Sequence, residues 1–147
     1  MKHIIQASAL SALFADKSNN GGEFTVRSLK TNKDYTFKVA TKMWKGKSYT
    51  HVSVEKNYLE WSYLGTFFNG RIFSKSGQGS TPSALAIAYL LTKVQEEKFD
   101  LLDSQVEVTH LGNCVRCGRI LTDATSIARG LGSECVKYVK NATLSVA

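Results

Sequence analysis

Polar and apolar residues alternate from Glu23 to Leu29, with Phe24, Val26 and Ser28 on one side and Thr25, Arg27 and Leu29 on the other. A period of two is that of a half-buried strand. It returns from Tyr35 to Ala40, where Tyr35, Phe37 and Val39 oppose Thr36 and Lys38, and from Tyr49 to Glu55, where Tyr49, His51, Ser53 and Glu55 oppose Thr50, Val52 and Val54. Lys30-Thr31-Asn32-Lys33-Asp34 and the Trp44-Lys45-Gly46-Lys47 segment are the turns between these runs. Tyr58 to Phe68 and Gly70 to Ser74 read as a further pair of strands, because Asn69-Gly70 is a strong two-residue hairpin signal. The pattern predicts a meander of four or five antiparallel strands.

The period changes after the Gly/Ser-rich connector Ser76 to Thr81. Ser80 or Thr81 with Pro82 forms a helix start, and Leu85, Ala88, Tyr89, Leu91 or Thr92, and Gln95 then recur at helical spacing through Ser83 to Lys98. This helix is expected to pack across the sheet. Met1 to Ala15 reads as an N-terminal helix whose Ile5, Ala9, Ala12 and Leu13 cover the sheet, and Asn19-Asn20-Gly21-Gly22 breaks the chain behind it. Phe99 to Gln105 leads to a short strand, Val106 to Thr109. A chain of 147 residues, 43% hydrophobic, is long enough for one real core. The expected class is therefore α+β: an N-terminal helix, a β-meander with a packing helix, and a small C-terminal zinc-stapled lobe. The basic α+β domain would span 1–103 and the lobe 104–147.

All three cysteines lie in that last stretch. Cys114 and Cys117 have the C-x2-C spacing that lets two thiolates of one turn reach a single ion, and Cys135 follows at a separation common between the halves of a zinc site. Gly118 suits the turn, where the backbone often needs positive φ. His110 is the nearest candidate for a fourth ligand, and a tetrahedral Cys3His shell would be closed, making Zn2+ structural. Thr122 or Asp123 is placed to cap a short helix over Ala124 to Ala128 with Gly130 as its stop, and Ser133 to cap a second helix carrying Cys135. Arg116 and Arg119 stand near enough to offset the thiolates. The competing readings are three unrelated buried thiols, or a nucleophilic cysteine with His110 as base, which C-x2-C plus a third cysteine matches poorly.

These residues carry a resemblance. Val106, Glu107, His110, Cys114, Cys117, Gly118, Arg119, Leu121, Thr122, Ser126, Ile127, Gly130, Gly132 and Cys135 match the closing pattern of a family of small bacteriophage and bacterial proteins of unassigned function. Ala124 and Ser133 stand where that family usually has proline. Residues 22 to 75 resemble the β-rich part of the same family more weakly. The resemblance implies a fold layout and a viral setting, with no reaction attached.

Charge adds a second theme. Residues 1 to 80 hold 12 Lys or Arg against 5 Asp or Glu, and residues 81 to 147 hold 7 against 7, so the whole net charge of +7 sits in the first half. Such asymmetry favours a polyanionic partner, although a merely solvated face reads the same way. Ten cations from Arg27 to Lys75 are interleaved with aromatic residues, a combination that neutralises phosphates and stacks on bases. Arg27, Lys38, Lys42, Trp44, Lys45, Lys47 and Arg71 are the candidate binding residues, with Trp44 the ring placed most readily on the surface. Phe24, Phe37 and Phe73 read as core, since aromatic residues are also ordinary strand formers.

The sequence thus reads as a zinc-stabilised protein that binds nucleic acid, DNA ahead of RNA, through a basic aromatic sheet. The alternative is a module that binds and modulates a host enzyme or defence factor. No phosphate-binding glycine loop, H-E-x-x-H or recognisable hydrolase triad occurs, so no enzyme is expected. His3 and His51 read as isolated. The interrupted apolar run of Met1 to Ala15 is too short for an export signal or membrane span, and three cysteines in metal-like spacing fit a reducing cytoplasm.

Overall fold

The computed structural model describes residues 2–15, 17–57, 60–75 and 77–139. Seven strands form one sheet: β1 (His3–Ile5), β2 (Glu23–Ser28), β3 (Asp34–Trp44), β4 (Lys47–Asn57), β5 (Glu60–Phe68), β6 (Arg71–Phe73) and β7 (Val106–His110). Their order is β1-β7-β2-β3-β4-β5-β6, and every pair is antiparallel. β2 to β6 are the expected meander, at five strands. Lys45-Gly46 and Asn69-Gly70 close two of its hairpins with positive φ at all four residues, as two-residue I′-type connections require. Tyr58 and Leu59, expected to open the fourth strand of the meander, lie outside the described residues, as do Met1, Asp16, Ser76 and residues 140–147.

β1 and β7 enlarge the sheet beyond the expected layout. β7 pairs Val108 with both Ile5 and Val26, so the strand that opens the C-terminal stretch is internal to the sheet. The N-terminal helix is replaced by β1 followed by a 3-10 helix, Ala7–Phe14. Ser8 and Ser11 are buried along with Ala9, Leu10, Ala12 and Leu13, and the Ser11 hydroxyl donates to the Ser8 carbonyl at 2.7 Å. A segment buried all round, one end of it held in a strand, lacks the exposed polar face of an amphipathic surface helix.

The inner face of the sheet presents Phe24, Phe37, Val39, Val52, Val54, Leu64, Phe67, Ile72 and Val108 to one continuous core. Covering it are the 3-10 helix, α1 (Pro82–Gln95) and α2 (Phe99–Gln105), the last formed where the sequence had suggested only a connector. Thr81 caps α1, its hydroxyl accepting from the Ala84 N–H at 3.4 Å, with Pro82 in the first turn. The buried stripe of α1 is Ala84, Ile87, Ala88, Leu90, Leu91 and Val94, while Leu85 and Tyr89 are 59% and 45% exposed. The buried face is therefore rotated from the expected one. Apolar residues surround this helix, and the strands beneath decide which set is buried.

Candidate metal centre and open sheet face

The C-terminal stretch is knotted by backbone hydrogen bonds. The N–H of Gly118 donates to the Cys114 carbonyl, that of Cys114 to Arg119, and that of Val115 to Gly130. Gly118 takes φ +81°, the left-handed conformation that lets the chain turn straight after Cys117. Asp123 caps α3 (Ala124–Arg129) by accepting from the Ser126 N–H at 3.0 Å, and Gly130 ends it with φ +76°. Cys135 opens a 3-10 turn, Cys135–Tyr138, without the side-chain cap expected from Ser133.

These turns bring the Sγ atoms of Cys114, Cys117 and Cys135 within 4.8 Å of one another. Cys114 and Cys135 are buried and Cys117 is half-buried. A tetrahedral ion with bonds of about 2.3 Å to thiolates sets its sulfurs about 3.8 Å apart, so the three could hold a metal with at most a small contraction. The electrostatics also suit one. The Cys114 thiol is pushed down to about 4, first by the hydrogen bond from Cys135 and then, against the effect of burial, by the backbone N–H groups of Gly132, Cys117 and Arg116. Cys135 is correspondingly raised, since it donates to Cys114 and is buried.

Arg116 ties the centre to the rest of the molecule. Its Nη1 donates to Cys135 Sγ at 3.4 Å, its Nε to the Ala12 carbonyl at 3.1 Å and its Nη2 to the Lys17 carbonyl at 3.4 Å. The guanidinium lies 4.4 Å from the centre of the Tyr138 ring. A buried charge needs this many partners, and the planar fork can reach them all.

His110 does not join the three sulfurs. Its Nε2 donates to the Ile127 carbonyl at 2.7 Å, and its Nδ1 accepts from the Gly112 N–H at 3.0 Å. Its ring packs 5.2 Å from that of His3, its partner across β1 and β7. Burial lowers its pKa, opposed by the hydrogen bond to Ile127. His110, expected as the fourth ligand, is instead held at the end of β7, which is pinned inside the sheet, with its ring turned to Ile127 and Gly112.

Among the described residues no helix covers the other face of the sheet. Register puts Arg27, Lys38, Lys42, Trp44, Lys47 and Arg71 on this side, and Lys45 at the hairpin tip beside it. Lys38 lies 4.6 Å over the Trp61 ring, and Lys45 4.6 Å over Trp44. Lys42 pairs with Tyr49 and Arg71 with Phe68. Arg27 is partly neutralised by Glu107 at 3.3 Å. Trp44 is exposed, as expected, though it ends β3 and does not sit in a loop.

Several of the rings interleaved with the cations in sequence, though not among the candidate binding residues, complete this face. A β-bulge pairs Gly65 with Val52 and Tyr63 with Ser53, which keeps Tyr63, Thr66 and Phe68 on one side despite their uneven spacing. Tyr63 and His51 then meet, hydroxyl to Nδ1, at 2.9 Å, with Thr66 3.2 Å from the same hydroxyl. Burial and Lys42 lower the His51 pKa. Phe73, expected in the core, is 54% exposed and packs on Phe68 at 6.3 Å. In the short strand β6 only Ile72 turns inward. Gly65 inside the strand, a residue type that often marks a bulge, and the uneven 63, 66, 68 spacing are the sequence signals of it.

Among the described residues no helix is long and apolar enough to cross a membrane. Comparison with curated proteins and with solved structures gave no match. Residues 106–140 match the model of a family of unknown function (DUF6011), a stretch that begins with β7 and contains the whole three-cysteine cluster.

Proposed function

We propose that this protein binds single-stranded nucleic acid on the open face of its sheet, and that a zinc ion held by Cys114, Cys117 and Cys135 braces the structure from behind. The observation that carries the reading is the side-by-side arrangement of cations and outward rings on β3 to β6: Lys38 with Trp61, Lys42 with Tyr49, Arg71 with Phe68 and Phe73, and Tyr63 between them. Lysines and arginines neutralise phosphates, and each exposed ring offers a stacking surface to a base, worth about 1–3 kcal/mol. Only an unpaired base presents its face to such a ring, which favours single strands over duplex. The buried core residues of β2 to β6 all point to the opposite side, so these rings are not needed to cover them.

Zinc is the ion this donor set suits best, since clustered thiolates favour soft or borderline ions and zinc forms stable sites of this kind without redox chemistry. Its role is structural reinforcement. On the resemblance of residues 106 to 135, the setting is the cytoplasm of a phage-infected or bacterial cell.

The deciding experiment is fluorescence anisotropy of a labelled single strand and of its duplex, titrated with the protein between about 50 and 200 mM salt. Saturable binding of the single strand, weakening steeply with salt, is the expected result. Absence of binding at the lower salt would overturn the proposal and turn attention to a protein partner, recoverable from nuclease-treated lysate.

A further inference from the structure

The three-sulfur centre leaves a question that the nucleic-acid reading does not touch, namely what completes the metal's shell. We infer that it keeps one coordination position for a donor from outside this chain, a soft monodentate ligand such as a thiolate sulfur or an imidazole nitrogen. The inference rests on the metal reading above.

Among the described residues, no fourth histidine, cysteine or carboxylate lies with the three sulfurs. His110, the natural candidate by sequence, has both ring nitrogens occupied, one donating to Ile127 and one accepting from Gly112. A neutral imidazole has one donor and one acceptor, so nothing remains to bind an ion. Turning the ring would break both bonds within a closely packed site, where even a Cβ on Gly130 would meet Ile5 at 2.9 Å and the His110 ring at 3.4 Å.

Two of the three cysteines border an open cleft. Cys117 and Cys135 line a cleft of about 410 Å3, between the start of α3 and the Gly132–Glu134 turn. The carboxylates on its wall are engaged elsewhere: Asp123 caps α3 through the Ser126 N–H, and Glu134 pairs with Lys137 at 3.4 Å. Arg116 and Arg119 also line it and favour an anionic donor. An ion held by three thiolates carries one net negative charge, is borderline-soft, and prefers four ligands. A thiol entering the cleft would lose its proton to solvent as its sulfur bonds the metal, whereas an imidazole would bind through its lone pair and release no proton.

Cobalt(II) makes this position visible, because its absorption bands respond to every ligand. The full chain is loaded with cobalt under a phosphine reductant, then titrated separately with imidazole and with 2-mercaptoethanol. We expect saturable band shifts with either probe, together with an unchanged cobalt stoichiometry and starting spectrum in His110→Gln. A parent spectrum that neither probe moves would overturn the open position while leaving the metal centre standing. Failure of the parent to bind cobalt any better than Cys117→Ser would instead overturn the metal reading, and this inference with it. The titration of the parent decides the matter even if His110→Gln does not fold.

Discussion

The α-carbon of Gly22 lies against the backbone of Cys114 so closely that a Cβ built on it would stand 1.9 Å from the Cys114 carbonyl oxygen. The N–H of Gly22 donates to the neighbouring Val115 carbonyl at 3.0 Å. The glycine pair that punctuates the chain before β2 is thus also the floor on which the cysteine turn rests. Gly22→Ala should lower stability by about 1–3 kcal/mol, the usual range for overpacking, and weaken metal binding with it. Gly46→Ala is the control: its Cβ meets nothing within 4 Å, so only the strain of φ +76° remains, about 1–2 kcal/mol. Urea unfolding with metal titration of both variants checks the pair, and equal metal affinity in the two would refute the link.

Removing a sulfur should remove the metal. Cys117→Ser is expected to lose stoichiometric zinc and to melt at a lower temperature, because the metal's binding energy is part of the folding energy. The drop should be partial. Val115, Leu121 and Leu131 belong to the same core as the sheet and helices, so packing alone holds much of this stretch in place. A variant that keeps both zinc and melting temperature would refute the assignment.

Arg116→Lys should destabilise the protein by about 2 kcal/mol, since buried acceptors deprived of their donor cost about 1–3 kcal/mol. A lysine ammonium cannot serve the carbonyls of Ala12 and Lys17 and the Cys135 sulfur at once, nor lie flat on Tyr138. Chemical denaturation measures the effect, and an unchanged midpoint would show that the fork is dispensable.

Proton release reports whether the site is preformed. The hydrogen bond from Cys135 and three backbone N–H groups hold the Cys114 thiol well below the ordinary thiol range, so it gives up its proton more readily in the metal-free fold than in the unfolded chain, where a thiol titrates at about 8.5. The folded pKa is depressed, so this group's stabilising effect is full above the unfolded value and is lost as pH falls through the lower folded one. Zinc added at pH 7 in weak buffer should therefore release fewer protons than there are cysteine ligands. Release of one proton per cysteine would mean that the turn forms only around the ion.

On the open face, Trp61→Ala and Tyr63→Ala should each weaken single-strand binding by about 1–3 kcal/mol with little change in salt dependence. Replacing Lys38 and Lys42 with alanine should instead flatten the salt slope, by about one counterion for each phosphate no longer neutralised. Anisotropy at several salt concentrations separates the two effects. Identical slopes in all variants would exclude this face as the phosphate-binding surface.

Features written in short-range chemistry were legible in the sequence alone: the C-x2-C turn with Gly118, the Asn69-Gly70 hairpin, the Thr81-Pro82 helix start, and the alternation that sorts β2 to β4 into two faces. Each depends on residues a few positions apart, where backbone sterics and local hydrogen bonds dominate. The pairing of β7 with β1 and β2 joins residues about a hundred and about eighty positions away, and no local signal encodes it. That pairing makes His3–Ile5 a strand ahead of the 3-10 helix and sets His110 beside His3, with both its nitrogens bonded to Ile127 and Gly112. The packing of helices on one side selected the buried stripe of α1, and a single bulge in β5 aligned Tyr63 with Thr66 and Phe68. In both cases several faces were similarly apolar or similarly spaced, and only burial against distant partners could choose among them.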